Sequence, residues 1–329
     1  MKVKNKALFQ KFIIFGLLLI ICIFGAIASP VFLSPRNLSN ILVQVAQIVI
    51  TGAGFSLLMI SGSLDLSIGA VIGLSGTVAA GLSVLGVPIV LCYLAGILIG
   101  AFIGAINGVL TVGFRITPVI ATLGTMNLAR GIAFIYAYTV TQGEVSIYKG
   151  IPENFLILGH SIKGIPIPIM IMIVVVIIFI IIQNNTTFGK YCFAIGGNEE
   201  TARLSGIYVG RHRFTLYTIV GLLAGMSGVI LATRVASGQP AAGVGFEFDV
   251  IVAVILGGTS LFGGEGSVTG TIIGALILGV LRNIMNLLGL NVFYQYIASG
   301  TVLIFAVILD AYLKGKGVSK DSLKQIFKG

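Results

Sequence analysis

The sequence predicts an all-α polytopic membrane protein of about ten transmembrane helices, and three observations carry the prediction. Mean hydropathy is +1.10, with 57% hydrophobic residues and only 9% charged, where soluble domains carry roughly 25% charged residues. The apolar tracts are too long for membrane β-barrel strands, which alternate over about 10 residues. Helices are then the way to pair every backbone group in lipid. Two Gly-rich interruptions without room for ordinary loops add broken or re-entrant segments to the expected fold.

Apolar tracts matched against the roughly 20 residues needed for a crossing place spans near 12–28, 40–60, 67–86, 88–112, 117–140, 165–183, 214–233, 249–262, 268–288 and 293–313. Residues 1–28 also have the look of a signal sequence, with a basic start, an apolar stretch and Ala26-Ile27-Ala28. We read them as a retained first span, although cleavage would leave the later topology unchanged. Gly96, Gly100, Gly104 and Gly108 form a small-residue stripe that lets one helix approach another closely. The two interruptions are Ser61-Gly62-Ser63-Leu64-Asp65-Leu66-Ser67-Ile68-Gly69 and Gly257–Gly266, the second preceded by a tract short for a crossing. The organisation is thus a transmembrane domain, 1–313, with a polar loop at 184–213, followed by a basic tail, 314–329, suited to membrane lipid at the inner leaflet.

Charge placement orients these spans. With the N-terminus inside, cytoplasmic segments hold 14 Lys and Arg residues and external segments hold four, Arg36, Lys149, Lys163 and Arg234, while Arg130 and Arg282 fall at membrane depth. The positive-inside rule therefore puts both termini in the cytoplasm. The net charge of +10 needs no nucleic-acid partner, because no basic–aromatic surface module is present. Cys22, Cys92 and Cys192 have neither disulfide nor metal-ligand spacing, and His160 and His212 fall on opposite sides of the membrane in this topology. No metal or cofactor is expected, and no nucleophile–base–acid set or phosphate-binding G-x-x-x-x-G-K-[ST] loop occurs. A proton relay and a cation filter are missing as well.

The loop Gly189–Arg213 reads like a piece of soluble protein. Asn198 is a good helix N-cap, Glu199 and Glu200 occupy the first turn, Ala202, Leu204 and Ile207 form an apolar edge, and Gly206 closes the C-terminus. An ordered connector and a docking helix for a soluble partner both fit. Asp65 is the clearest carboxylate inside the bilayer, suited either to capping the helix that starts near Leu66 or to gating a path. Gln44 and Gln47 share a helix face, as do Asn283 and Asn286, and Asn107 and Asn127 add uncharged polar groups. Interhelical hydrogen bonds account for these six, and a path lined by them would suit a neutral, hydroxyl-rich solute.

SGSLDLSIG at 61–69, TPVIATLGTMNLARG at 117–131 and GKYCFAIGGNEETARLSGI at 189–207 resemble the permease subunits of ribose-type ABC sugar importers. So do SGQPAAGVGFEFDVIVAVILGGTSLFGGEGSVTGTIIGALILGVLRN at 237–283 and NLLGL at 286–290, in collinear order from about residue 30 to 313. Ser61 and Leu64 stand where members of that family often have Gly and Ile. The resemblance implies a type II ABC importer permease in a bacterial cytoplasmic membrane, paired with an identical or related second copy. It also implies ABC ATPase subunits using ATP and Mg on the cytoplasmic face, and an extracytoplasmic sugar-binding protein outside. Residues 198–206 would be the coupling helix, with Asn198, Glu199, Glu200, Thr201, Ala202, Arg203, Leu204 and Gly206 at the ATPase contact. Arg36, Lys149, Lys163, Arg234, Glu247 and Asp249 would form a docking surface for the binding protein, and Asp65, Gln44, Gln47, Asn107, Asn127 and Asn283 would line or gate the path.

The cargo implied is a monosaccharide, ribose first, with other pentoses, hexoses, autoinducer-like furanoses and nucleosides open. A stand-alone channel or secondary transporter for a small neutral polar solute is the competing class, and the 189–207 loop counts against it. A membrane transferase is a third, weakened by the missing carboxylate–histidine set.

Overall fold

The computed structural model describes residues 2–313; the basic tail at 314–329 lies outside the described residues. Helices α1 (Lys2–Ala28), α2 (Pro35–Ile60), α3 (Ile68–Val84), α4 (Ile89–Gly108) and α5 (Pro118–Thr141) follow in order. They are succeeded by α6 (Ile167–Asn185), α7 (Thr187–Gly197), α8 (Glu199–Leu204), α9 (Val209–Val235), α10 (Phe246–Leu256), α11 (Val268–Leu287) and α12 (Val292–Leu313). Among the described residues, six helices are long and apolar enough to cross a membrane, namely α2, α4 with its wider terminal turn, α5, α6, α9 and α11. Ile14–Ala28, Ile68–Val84 and Val292–Phe305 are shorter apolar stretches.

Starts and stops follow from local chemistry. Ser34 accepts from the Asn37 amide ahead of Pro35 at the first position of α2, and proline is tolerated there because that amide has no helical partner. Ser267 does the same for α11 through the Gly270 amide. Helix α2 is almost wholly buried after Val45, with Phe55, Leu57, Leu58, Met59 and Ile60 at the centre of the core. It is wrapped by α6, α9, α10 and α11, while α1 lies along α11.

The glycine stripe works as its spacing predicts. On α4, Gly100 faces the backbone of Gly221 and Gly225, and Gly104 faces Tyr217 and Gly221. A methyl group at either position would meet backbone, so the α4–α9 crossing depends on close approach of the two chains.

The eighth predicted crossing, 249–262, is corrected by the structure. Its helix is α10, only 11 residues long, or about 16 Å against a hydrocarbon core of ~30 Å. The other half of the route is non-helical. Residues 238–243 run down beside α3, with Gly238 against Thr77 and Ala80, Pro240 and Ala242 against Gly73, and Gly243 against Gly69.

The segment 141–164 departs from an all-helical reading in a small way. Ser161–Ile162 and Ile165–Pro166 form a two-stranded hairpin, β1–β2. Lys163 and Gly164 both have positive φ, 50° and 83°, which suits a two-residue turn matching the twist of the strands. Ile147 and Gly238 exchange backbone hydrogen bonds of 2.8 and 2.7 Å, fastening this segment to the top of the descending chain.

Candidate functional site

Helix α8 is short, and its ends explain why it forms. The Asn198 side chain accepts from the Thr201 amide at 2.8 Å. At the other end the Gly206 amide donates to the Arg203 carbonyl and the Ile207 amide to the Ala202 carbonyl, both at 3.1 Å. This is a Schellman closure with Gly206 at φ 84°, a region that glycine enters without steric cost. Ala202 packs with Ile195 of α7, Val209 of α9 and Ile207, so the helix sits on a small apolar base. Its other face is open: Glu200, Thr201, Arg203 and Leu204 are exposed, Leu204 at 84%.

The base beneath α8 is tied together by side-chain contacts. Thr186 caps α7 through the Gly189 amide at 3.2 Å. Cys192 Sγ lies 3.2 Å from His212 Nε2, and Phe188 packs on the same imidazole at 4.2 Å between ring centroids. Burial pushes the Cys192 thiol up to about 12, so this contact is between neutral groups on the cysteine side.

The two interruptions meet at this base, the start of the first against the end of the second. The Ile60 carbonyl, at the C-terminus of α2, accepts from the Gly264 amide at 2.8 Å. Gly196 at the end of α7 abuts Ile60 and Gly264 directly, and Gly263 lies against Gly62. Gln183 at the end of α6 then holds the exit of the second interruption, donating to the Gly266 carbonyl at 3.2 Å and accepting from the Val268 amide at 2.8 Å.

The first interruption is organised around Asp65, which is 1% exposed. Its Oδ1 accepts from the Ser67 amide at 2.8 Å and the Ser67 hydroxyl at 2.6 Å. Asn107 donates to both Asp65 oxygens at 3.3 and 3.2 Å, and to Ser67 Oγ at 2.8 Å. Thr125 of α5 donates to Asn107 Oδ1 at 2.6 Å, and the Thr122 hydroxyl accepts from the Leu66 amide at 3.1 Å. Asp65 therefore shapes the turn before α3 and fixes it to α4 and α5.

A second polar set supports the descending segment. Arg130 of α5 donates to the Pro240 and Ala242 carbonyls, which no helix or sheet pairs. Arg282 of α11 forms a two-pronged pair with Asp249 and donates to Ser299 of α12 at 3.2 Å. Glu247 points toward Gly69 and feels the Arg130 charge. A cavity of about 190 Å³ beside this segment is lined by Ile72, Gly73, Gly228, Ser237, Gln239 and Ala242, among others.

Comparison with known proteins then decides the family. The model described as branched-chain amino acid transport system / permease component matches residues 37–307. The ribose import permease protein of Bacillus subtilis (strain 168) is 42% identical, covering 89% of this chain and 90% of that protein. Its counterpart in Escherichia coli (strain K12) is 39% identical over 90% and 91% of the two chains. The chain belongs to the ribose-type ABC permease family. The D-allose transport system permease protein of Escherichia coli (strain K12) is 36% identical over 90% of each chain, and no solved structure matches.

The permease is a multi-pass membrane subunit, and the structure distributes its predicted site residues unevenly. Asn198 through Gly206 come together as one capped helix. Asp65 and Asn107 share a network, whereas Asn283 exchanges two hydrogen bonds with Asn37 at 2.9 and 2.7 Å. Gln47 is buried with its amide nitrogen unpaired, Gln44 is half-buried, and Asn127 is exposed on α5. The six residues thus form no single lining, and none of them borders the cavity.

Arg36, Lys149, Lys163 and Arg234 are exposed, with Lys149 paired to Glu144 at 2.6 Å. Glu247 and Asp249 are a correction: both are buried, because the chain before α10 descends beside α3 instead of staying at the surface. Gln183, Arg213 and helix α7 escaped the sequence reading. Sequence position alone does not distinguish a polar residue that clamps another segment from one that merely ends a helix or lies in a loop.

Proposed function

We propose that this permease moves ribose across the cytoplasmic membrane as one of a pair of such subunits, with ATPase partners seated on α8 and a sugar-loaded binding protein on the opposite face. Identity of 42% to a ribose import permease over nearly the whole chain carries the substrate assignment. The capped, outward-facing helix α8 on a packed base supports the docking assignment, since an exposed Leu204 at the tip of a polar loop fits a groove in a soluble partner. The charge asymmetry, with basic residues concentrated on the α8 side, supports cytoplasmic termini. In this mechanism ATP-driven movement of the two ATPases tilts α7 and α9 through α8, opening the path alternately to each side. The chain itself performs no chemistry on the sugar.

The test is reconstitution of the permease in liposomes with its ATPase and binding protein, assayed with ribose, arabinose and allose. Sugar-stimulated ATP hydrolysis and uptake should be greatest with ribose. Greater uptake of arabinose or allose would reassign the cargo, and ribose flux through the permease alone would replace the importer by a channel.

A further inference from the structure

Arg213 lies one turn into α9 and is the only charged side chain drawn so far inward among those at the foot of α8. Its Nη1 donates to Glu199 Oε2 at 2.7 Å, and its Nη2 donates to the Ser61 carbonyl at 3.0 Å. The first contact reaches α8. The second reaches the C-terminus of α2, where the last carbonyls carry partial negative charge and favour a cation. Gly62, the next residue, packs against the same guanidinium. The neighbouring Ile60 carbonyl is taken by Gly264 of the second interruption.

A merely structural role for Arg213 would be to hold α8 in shape, and the contacts argue against that. Glu199 also pairs with Arg203 within α8 at 2.8 Å. The Asn198 cap, the Schellman closure at Gly206 and the apolar base under Ala202 all form without Arg213. What Arg213 alone supplies is a planar, two-pronged link between α8 and the end of the helix that leads into the first interruption.

We propose that Arg213 is a positioning residue that transmits movement of α8 to the Ser61–Ser67 interruption, coupling ATPase motion to rearrangement of the path. The inference rests on the reading of α8 as the ATPase seat. It assigns to this chain a transmission contact separable from the docking contact.

The experiment uses the complete importer in liposomes and reads three quantities: ATPase association with the permease, stimulation of ATP hydrolysis by ribose-loaded binding protein, and ribose moved per ATP consumed. Arg213→Gln is expected to keep association and basal hydrolysis while lowering stimulation and ribose per ATP by about tenfold, within the usual range of coupling between distant sites. Arg213→Lys keeps the charge but not the fork, and should lower ribose per ATP to an intermediate value; it serves where the Gln variant does not fold. Wild-type ribose per ATP in either variant overturns the proposal. Loss of association in parallel with coupling also overturns it, because Arg213 would then serve only to hold α8. The docking reading fails separately, if Glu200→Ala combined with Leu204→Asp leaves association and hydrolysis intact.

Discussion

Asp65 sits in a setting where its ligands are all neutral: a backbone amide, a hydroxyl and a carboxamide. Leucine at this position would strand those donors, at about 1–3 kcal/mol for each buried group left unpaired, whereas Asn keeps one acceptor oxygen. We expect Asp65→Leu to lower the thermal midpoint in detergent well below that of Asp65→Asn. Equal midpoints would remove the network as the reason for the acid. Arg282 and Asp249 pose the opposite case, an acid matched to a base. Removing one partner of a buried pair is strongly destabilising, by about 3–5 kcal/mol, while removing both is often nearly neutral. Arg282→Leu should therefore unfold more easily than Arg282→Leu with Asp249→Leu, and a double variant no better than the single would show that the pair is not what Asp249 requires. Cys192, with its thiol pushed up to about 12, is a protonated thiol at neutral pH, and the thiolate is the reactive form. Iodoacetamide at pH 8 should leave it unmodified in the folded permease and label it after denaturation; mass spectrometry of the native protein showing full labelling would contradict its buried contact with His212.

For the helices as units, the useful contrast is between glycines that face backbone and glycines that face outward. A methyl group at Gly100 would run into Gly221 and Gly225, whereas at Gly124 it would meet nothing within 4 Å. Overpacking of this kind costs about 1–3 kcal/mol, so Gly100→Ala should lower the thermal midpoint of the isolated subunit and Gly124→Ala should not. Helix propensity favours Ala at both sites, so equal midpoints in the two variants would show that the close α4–α9 approach is not what Gly100 serves. In α8 the corresponding weak point is Gly206, at φ 84°; Ala there is strained, and Gly206→Ala should fray the helix and weaken ATPase association without altering the membrane fold. These features were legible because they are local. A cap residue, a glycine at a helix end and a four-residue stripe announce themselves by spacing alone. Helix α7 did not, since Thr187–Gly197 mixes Phe, Cys and Ile with Lys and Gly in a stretch that also reads as the edge of a loop.

Across the whole molecule, nine of the ten predicted crossings coincide with apolar helices, because length and hydropathy are properties of a segment by itself. The exception, the eighth, is only half helical because its outer half is held by partners elsewhere in the chain. Ser237-Gly238-Gln239-Pro240-Ala241-Ala242-Gly243 contains nothing that marks membrane depth, and the donors for its Pro240 and Ala242 carbonyls come from Arg130, more than a hundred residues earlier. The same limit hid the site: Glu247 and Asp249 look like surface acids until Arg130, Gly69 and Arg282 are brought beside them. Gln183 and Arg213 likewise acquire meaning only from the carbonyls and amides they meet. That descending segment imposes an order on the protein's biogenesis. A stretch with two glycines, a proline and a glutamine has no favourable route into lipid as an autonomous helix. It can leave water only where α3 offers its glycine face and α5 its arginine, so the N-terminal half must stand in the bilayer as a receiving template before residues 237–243 can settle at depth.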